Sequence, residues 1–302
     1  MSEGRRIPVK NLFITGGSGF IGRNLKEQLT GKYNVFAPSH GELDLLYEER
    51  VYNYLKTHRF DVVIHTATWN ATRTSKKDLT KVLEHNCRMF FNLARCSEYY
   101  GKMIYYGSGA EYGGQHWIPK IREDYFDTHV PKDAYGFSKY IMAKYAEHSR
   151  NIYDIRLFGV FGKYEDWEIR FISNACCKAA WDLPITIKQN VFFDYLYVDD
   201  LVKITEWFIE NDPEDRFYNV CTGRVFDLRT LADKVLAASG KNLDVVVARE
   251  GVGREYGGDN SRLLSEMGGY SFRDMDACIR EIYEWYLANK GIIHREKLLV
   301  DK

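Results

Sequence analysis

Tyr135 and Lys139 stand four residues apart in Ala134-Tyr135-Gly136-Phe137-Ser138-Lys139. On a helix that spacing puts both side chains on one side, so a phenol and an ammonium can address a single site. A cation beside a phenol favours loss of the phenolic proton, which suits the pair to moving a proton near neutral pH. Ser108 closes the apolar run Met103-Ile104-Tyr105-Tyr106-Gly107-Ser108, where its hydroxyl can donate to an oxygen that gains negative charge. The chain has 22 tyrosines, so the Tyr/Lys pair alone reads equally well as a surface Lys beside a half-buried Tyr, and Ser108 alone as a turn residue. In combination the three point to proton transfer at an oxygen on which negative charge develops.

Upstream of these residues, a glycine turn offers a place for a dinucleotide. Leu12-Phe13-Ile14-Thr15 runs directly into Gly16-Gly17-Ser18-Gly19-Phe20-Ile21-Gly22 and then into a helical pattern. Without side chains on the turn, a pyrophosphate can reach the open N–H groups of a helix N-terminus, so Gly16, Gly19, Phe20, Ile21 and Gly22 are the expected contacts of a dinucleotide. The rival reading is an ordinary strand-to-helix turn. At the end of the second strand, Val35-Phe36-Ala37-Pro38-Ser39-His40-Gly41 holds no acid before Glu42. Ser39 and His40 there can donate to a 2′-phosphate, which tilts the expectation to NADP(H), with NAD(H) as the alternative.

The elements that must position these groups alternate along the chain. Short apolar runs read as strands at Asn11 to Thr15, Asn34 to Ala37, Asp61 to His65, Lys102 to Gly107 and Tyr153 to Phe158. Helical stretches read at Ile21 to Leu29, Glu49 to Thr57, Thr80 to Tyr100 and Ala134 to Ser149. Continuous rather than alternating strands suit a parallel sheet covered on both faces, so the fold class is α/β with a doubly wound sheet. After about Gly162 the pattern loosens into a helix at Ile169 to Trp181 and a strand-like run at Pro184 to Ile187. The expected division is a dinucleotide-binding domain over 1–165 and a smaller α/β substrate lobe over 166–302, with about 190–225 returning to the first domain. Ile279, Ile282, Tyr283 and Tyr286 recur at helical spacing and read as core or subunit contact.

Bulk properties narrow the partners. Lys+Arg and Asp+Glu both total 42, a formal net charge of zero, which disfavours nucleic acid or acidic lipid as a ligand. Six cysteines without CxxC pairs or clustered histidines suggest neither a metal site nor a disulfide framework. With no long apolar segment, neither secretion nor membrane insertion is expected, and a reducing cytoplasm fits best. The sequon-like Asn70-Ala71-Thr72 is accordingly read as chance.

Thr15 to Gly22, Asp61-Val62-Val63-Ile64-His65-Thr66-Ala67, Gly107-Ser108-Gly109-Ala110-Glu111-Tyr112-Gly113 and Tyr135-x-x-x-Lys139 together resemble the extended short-chain dehydrogenase/reductase family. Phe193 to Asp200 and Tyr218 to Gly223 extend the likeness, which covers about residues 10 to 290. The resemblance implies a Rossmann domain, a C-terminal substrate lobe, a nucleotide-diphosphate sugar as substrate and a homodimer. It makes Ser108, Tyr135 and Lys139 the catalytic triad. It also sets Asp44 and Leu45 near the adenine, and Thr66, Ala67 and Asn86 along the cofactor cleft. Bland readings of Asp44, Ala67 and Asn86 are a loop turn, core packing and a helix-surface amide.

The family's dehydratases carry Asp-Glu directly after the catalytic hydroxyl, where this chain has Gly109 and Ala110, so dehydration is not expected. Ser39 to Leu46 is similar to the reductase pattern of GDP-fucose synthases, but the epimerising Cys is replaced by Ala110. The expected reaction is reduction of a keto carbon, C4 of a 4-keto-6-deoxy sugar. The alternatives are a 4-epimerase retaining NAD and a non-catalytic cofactor sensor. Phe193 stands where the family uses Arg on the substrate diphosphate, leaving Arg254, Arg170 and Lys163 as candidate phosphate contacts, with Ser108 and Gly109 beside the sugar.

Overall fold

A computed structural model describes residues 9–69, 72 and 77–300, so Asn70 and Ala71 of the sequon-like triplet lie outside the described residues. The strands are β1 (Asn11–Thr15), β2 (Asn34–Phe36), β3 (Phe60–His65), β4 (Tyr100–Ser108), β5 (Ile152–Leu157), β6 (Gly159–Phe161), β7 (Ile185–Asn190), β8 (Phe192–Tyr197), β9 (Phe217–Val220), β10 (Val225–Asp227) and β11 (Val245–Val252). The helices are α1 (Phe20–Leu29), α2 (Glu48–His58), α3 (Val82–Ala94), α4 (Ala134–Glu147), α5 (Phe171–Ala180), α6 (Val198–Glu210), α7 (Leu228–Ser239), α8 (Ser261–Glu266), α9 (Met275–Ala288) and α10 (Arg295–Leu298).

Six strands pair in parallel in the order β2-β1-β3-β4-β5-β9. Successive residues of β1 face opposite cores, which is why its sequence is apolar throughout. Leu12 and Ile14 pack with Leu25 of α1 and Leu201 of α6, whereas Phe13 packs with Val51 and Leu55 of α2 and Phe90 of α3. The sheet is therefore doubly wound, as the alternation of elements predicts. Strand order reverses between β1 and β3, opening a crevice at their carboxyl ends, where Thr15 lies in register with His65.

The remaining strands form smaller sheets, β10-β8-β6 and β11-β7. Beside them α5, α7 and α9 enclose a separate core that includes Ile279, Ile282, Tyr283 and Tyr286, the residues of the late amphipathic pattern. No helix of the described residues is long and apolar enough to cross a membrane.

Two boundaries differ from expectation. The stretch Thr80 to Tyr100 is not one helix: α3 stops at Ala94, and Tyr100 already pairs with Phe60 as the first residue of β4. Helical periodicity in the sequence runs on across this join because Leu93, Ala94, Cys96, Tyr99 and Tyr100 all enter the same core. The strand-like run at Pro184 continues to Asn190, lengthened by pairing with β11, a partner remote in sequence.

Candidate active site

The glycine turn between β1 and α1 is built for close approach. Gly16 has φ +70°, and a Cβ there would lie 2.9 Å from the Ala67 backbone. A Cβ on Gly22 would come 2.2 Å from the Gly16 carbonyl oxygen, so the first turn of α1 can lie against the loop only with glycine at both places. Gly19 caps α1 with no side chain, which leaves the first-turn N–H groups, from Phe20 onward, without an intrahelical or side-chain acceptor. A dinucleotide pyrophosphate fits this cradle in shape and charge.

Thr66 and Ala67 wall the cradle on the β3 side. The Thr66 hydroxyl donates to the Thr15 carbonyl at 2.7 Å, and the Ala67 N–H donates to the Thr15 hydroxyl at 3.2 Å. That hydroxyl also lies 2.9 Å from Nδ1 of the buried His65. Burial, helped by the Lys139 charge, pushes the His65 imidazole down to about 3, so it braces the turn as a neutral ring.

The end of β2 departs from expectation. Ser39 donates both its N–H, at 2.7 Å, and its hydroxyl, at 2.8 Å, to the Glu42 carboxylate. Those bonds hold the Glu42 carboxyl below its usual range. Ser39 is thus spent as a turn cap and is not free to hold a 2′-phosphate, a correction that follows from Glu42 folding back rather than continuing away. His40 remains open, with its side chain 78% exposed and Asp44 3.5 Å away. Asp44 also accepts the Leu46 N–H at 3.0 Å, the loop-turn role, and Leu45 is buried in the core.

Ser108, Tyr135 and Lys139 are brought to one place by β4 and α4. Asp133 caps α4 by accepting the Gly136 N–H at 2.8 Å, fixing Tyr135 in the first turn. A Cβ on Gly136 would lie 3.0 Å from the Ala110 carbonyl oxygen, so the turn that follows Ser108 packs against the turn of α4 that carries Tyr135. Lys139 is buried, and its Nζ donates to the Tyr106 carbonyl at 2.6 Å while lying over the Tyr105 and Tyr135 rings, 4.7 and 5.9 Å from their centroids. The ammonium points inward, as the Tyr-x-x-x-Lys spacing requires.

Asn86 is a brace and not the surface amide of the bland reading. It is buried, its Oδ1 accepts the Trp69 N–H at 2.6 Å, and its Nδ2 reaches the Ser138 hydroxyl at 3.5 Å, which in turn donates to the Tyr135 carbonyl.

Beyond Gly109 the surroundings of Ser108 are aromatic. Trp117 donates its indole N–H to the Gly109 carbonyl at 3.0 Å and lies against Tyr256 with ring centroids 4.2 Å apart. A Cβ on Gly109 would meet the Tyr256 hydroxyl at 2.7 Å and the Phe158 ring at 2.9 Å. Burial pushes the Tyr256 phenol up, an effect partly offset by the Ser108 hydroxyl. Tyr105, Tyr106 and Tyr112 are buried core residues.

The three phosphate candidates are not brought together. Lys163 directs its ammonium to Glu281 at 3.7 Å. Arg254 is exposed and bonds the Gln115 carbonyl, holding the 113–117 loop. Only Arg170, exposed at the N-terminus of α5, acts electrostatically on Tyr256 and Tyr195 of the aromatic wall. Spacing could not separate these three, because the ion pair with α9 and the hydrogen bond to the loop are long-range contacts.

Sequence reasoning missed Tyr256 and a buried charged group behind Ser108. Tyr256 reaches the site through an isolated bridge to Phe193, which leaves no local pattern. Glu111, by contrast, was legible: Ser108-x-x-Glu111 has capping-box spacing, and both reciprocal bonds are present.

With this geometry in place, comparison decides the family. The model of the NAD dependent epimerase/dehydratase family matches residues 12–221. The chain belongs to that family. Family membership makes it a nicotinamide-dependent enzyme. A UDP-glucose 4-epimerase of Thermotoga maritima, solved with UDP-glucose, is 21% identical, superimposes with TM-score 0.78 and aligns over 94% of this chain and 100% of its own. A GDP-L-fucose synthetase of Naegleria fowleri bound to NADP is 16% identical, with TM-score 0.82 and coverage of 93% and 94%. A GDP-D-glycero-L-gluco-heptose synthase of Campylobacter jejuni, solved with NADPH, is 18% identical, with TM-score 0.81 and coverage of 92% and 98%. At these identities the likeness establishes a shared fold.

Proposed function

We propose that this enzyme reduces a keto carbon of a nucleotide-diphosphate-linked sugar, C4 of a 4-keto-6-deoxy sugar, with NADPH. The observation that carries the reading is the inward Lys139 ammonium on the same turn as Tyr135, set against the turn that begins at Ser108. A bound dihydronicotinamide supplies the hydride. Tyr135 gives its proton to the sugar oxygen as charge develops there, and the Ser108 hydroxyl donates to the same oxygen. Lys139 favours departure of the phenolic proton and orients the cofactor ribose.

One feature supports reduction over elimination of water, and another suits the deoxy sugar. Gly109 and Ala110 supply neither the acid nor the base that elimination needs. The aromatic wall of Trp117, Phe158 and Tyr256 presents little charge to the sugar and suits a deoxygenated carbon. Residues 166–302, with Arg170 as the retained cation, are read as the part that meets the nucleotide. NADPH is favoured because His40, exposed at the end of β2, can donate to a 2′-phosphate, against the opposing charge of Glu42 folded back onto Ser39.

The test is a panel of nucleotide-linked 4-keto sugars offered with NADPH and with NADH. Oxidation of NADPH that requires a keto sugar supports the proposal. Stoichiometric cofactor retained through purification, with interconversion of UDP-hexoses, points to a 4-epimerase instead. Cofactor binding with no turnover of any member, unchanged in Tyr135→Phe, points to a sensor.

A further inference from the structure

Behind Ser108 lie three ionisable side chains with no solvent exposure: Glu111, Asp154 and Arg156, all at 0%. The Arg156 Nε sits between two carboxyl groups, 2.8 Å from Asp154 Oδ2 and 2.9 Å from Glu111 Oε2. Both carboxyl groups also converge on Gly107, where a Cβ would lie 2.0 Å from Asp154 Oδ1 and 2.6 Å from Glu111 Oε1. Glycine is therefore required in the residue before Ser108. Glu111 Oε1 accepts the Ser108 N–H at 2.8 Å, and the Ser108 hydroxyl accepts the Ala110 N–H at 3.2 Å.

Within this trio charge does not balance if both acids are ionised, and the nearest further cation, Lys139, is bonded to the Tyr106 carbonyl and not to either acid. One guanidinium would face two carboxylates away from water, and an uncompensated buried charge is strongly unfavourable. Asp154 Oδ1 lacks a hydrogen-bond partner, and Glu111 Oε2 has only its 2.9 Å ion pair with Arg156, whose Nη2 is itself unsatisfied; a proton on the second carboxyl would supply a donor between the two acids. The groups facing Glu111 are Asp154 and Arg156 from β5, Tyr105 and the Ser108 amide from β4, Lys139 from α4, Tyr112 from its own turn and Tyr256 from across the cleft. Burial and the Asp154 charge push the Glu111 carboxyl up, against the pull of Arg156, the Ser108 amide and Lys139.

We infer that Glu111 is a positioning residue: as a neutral carboxylic acid wedged against Asp154 and Arg156, it holds the Ser108 main chain and so sets the place of the Ser108 hydroxyl. It touches neither substrate nor cofactor in this role. Its kinetic consequence rests on the reductase reading, but the placement itself does not.

Three measurements on the full-length enzyme test this. Infrared difference spectra between wild type and Glu111→Gln, without substrate at neutral pH, should show a protonated carboxyl band in the wild type only; no such band overturns the neutral acid. Hydrogen exchange at the Ser108 amide should speed up about tenfold or more in Glu111→Ala and return most of the way in Glu111→Gln, whose amide oxygen can still accept. Glu111→Ala leaves Asp154 and Arg156 matched one to one, so the fold is expected to survive. Unaltered exchange in Glu111→Ala would remove the positioning role. With any sugar that proves to be turned over, Glu111→Ala should lower kcat about tenfold with little change in cofactor Kd, and Glu111→Gln should recover most of it. A Gln variant as impaired as the Ala variant would mean that negative charge, and not a neutral acid, is what the site needs. If no sugar is turned over, the reductase reading fails while the spectra and the exchange still decide this inference.

Discussion

The Lys139 ammonium is bonded at 2.6 Å to the carbonyl of Tyr106, two residues before Ser108. One hydrogen bond thus ties the helix bearing Tyr135 to the strand bearing Ser108 and fixes the distance of that helix turn from the sheet. Lys139→Met is expected to fold, since the stem is buried among rings, but to lose about 10²–10⁴-fold in kcat, as is Tyr135→Phe. Lys139→Arg should not rescue it, because a planar fork cannot place one donor where the compact ammonium sits. Turnover of NADPH with circular dichroism as the folding control checks both. A Lys139→Met enzyme with native kcat would remove the triad from the chemistry.

Cofactor choice turns on the β2 end. His40→Ala should weaken NADPH binding several-fold, about the loss of one exposed charged contact, and leave NADH unchanged. Because the contact is exposed, the difference should shrink as salt is raised. Equal effects on the two cofactors in fluorescence titration would show that His40 does not meet the 2′-phosphate. Glu42→Gln should help NADPH more than NADH by removing the nearby negative charge, with some loss of order in the Ser39 turn.

How much of this was legible follows from the range of each interaction. Gly16, Gly22, Tyr135 and Lys139 declare themselves because the elements that use them are adjacent in sequence, and local spacing carries the geometry. Ser39 misleads for the opposite reason: its neighbour three residues on returns to it, so the absence of an acid at the strand end says little about where the charge finally sits. Arg254 and Lys163 read as free cations until the fold supplies Gln115 and Glu281 as partners. Asp154 and Arg156 break the apolar run of β5, and two charges in a strand covered on both faces were a usable sign of a buried ion group.

Glu165 predicts a pH dependence of stability. It is buried beside Ser173, whose hydroxyl donates to it, and burial pushes its carboxyl up to about 8. Between its ordinary value near 4.5 and about 8, the folded chain binds a proton there that the unfolded chain has released. Stability from this group is therefore greatest below pH 4.5 and falls as pH rises to about 8, by up to about 1.4 kcal/mol per pH unit. Glu165→Gln can still accept from Ser173 and has no proton to lose. Urea midpoints should coincide near pH 4.5 and favour the Gln variant by about 2–4 kcal/mol at pH 8. A constant offset across the range would refute the raised value.

Gly109 and Tyr256 should be energetically coupled. A methyl group on Gly109 would stand 2.7 Å from the Tyr256 hydroxyl and 2.9 Å from the Phe158 ring, neither of which can withdraw freely, because Tyr256 is packed on Trp117 and bridged to Phe193. Overpacking of this kind costs about 1–3 kcal/mol, so Gly109→Ala should destabilise the fold by that amount and raise KM for the sugar as the wall shifts. Tyr256→Phe removes the nearer obstacle while keeping the ring. In that background Gly109→Ala should cost less, and a double-mutant cycle in thermal unfolding should return a coupling of about 0.5–1.5 kcal/mol. Tyr256→Phe alone also strips a neighbour from the Ser108 hydroxyl, so kcat should fall modestly even where stability does not. Additive effects in the cycle would mean that the Phe158 ring, and not the phenol, forbids a side chain at Gly109, and would free Tyr256 from any role beside Ser108.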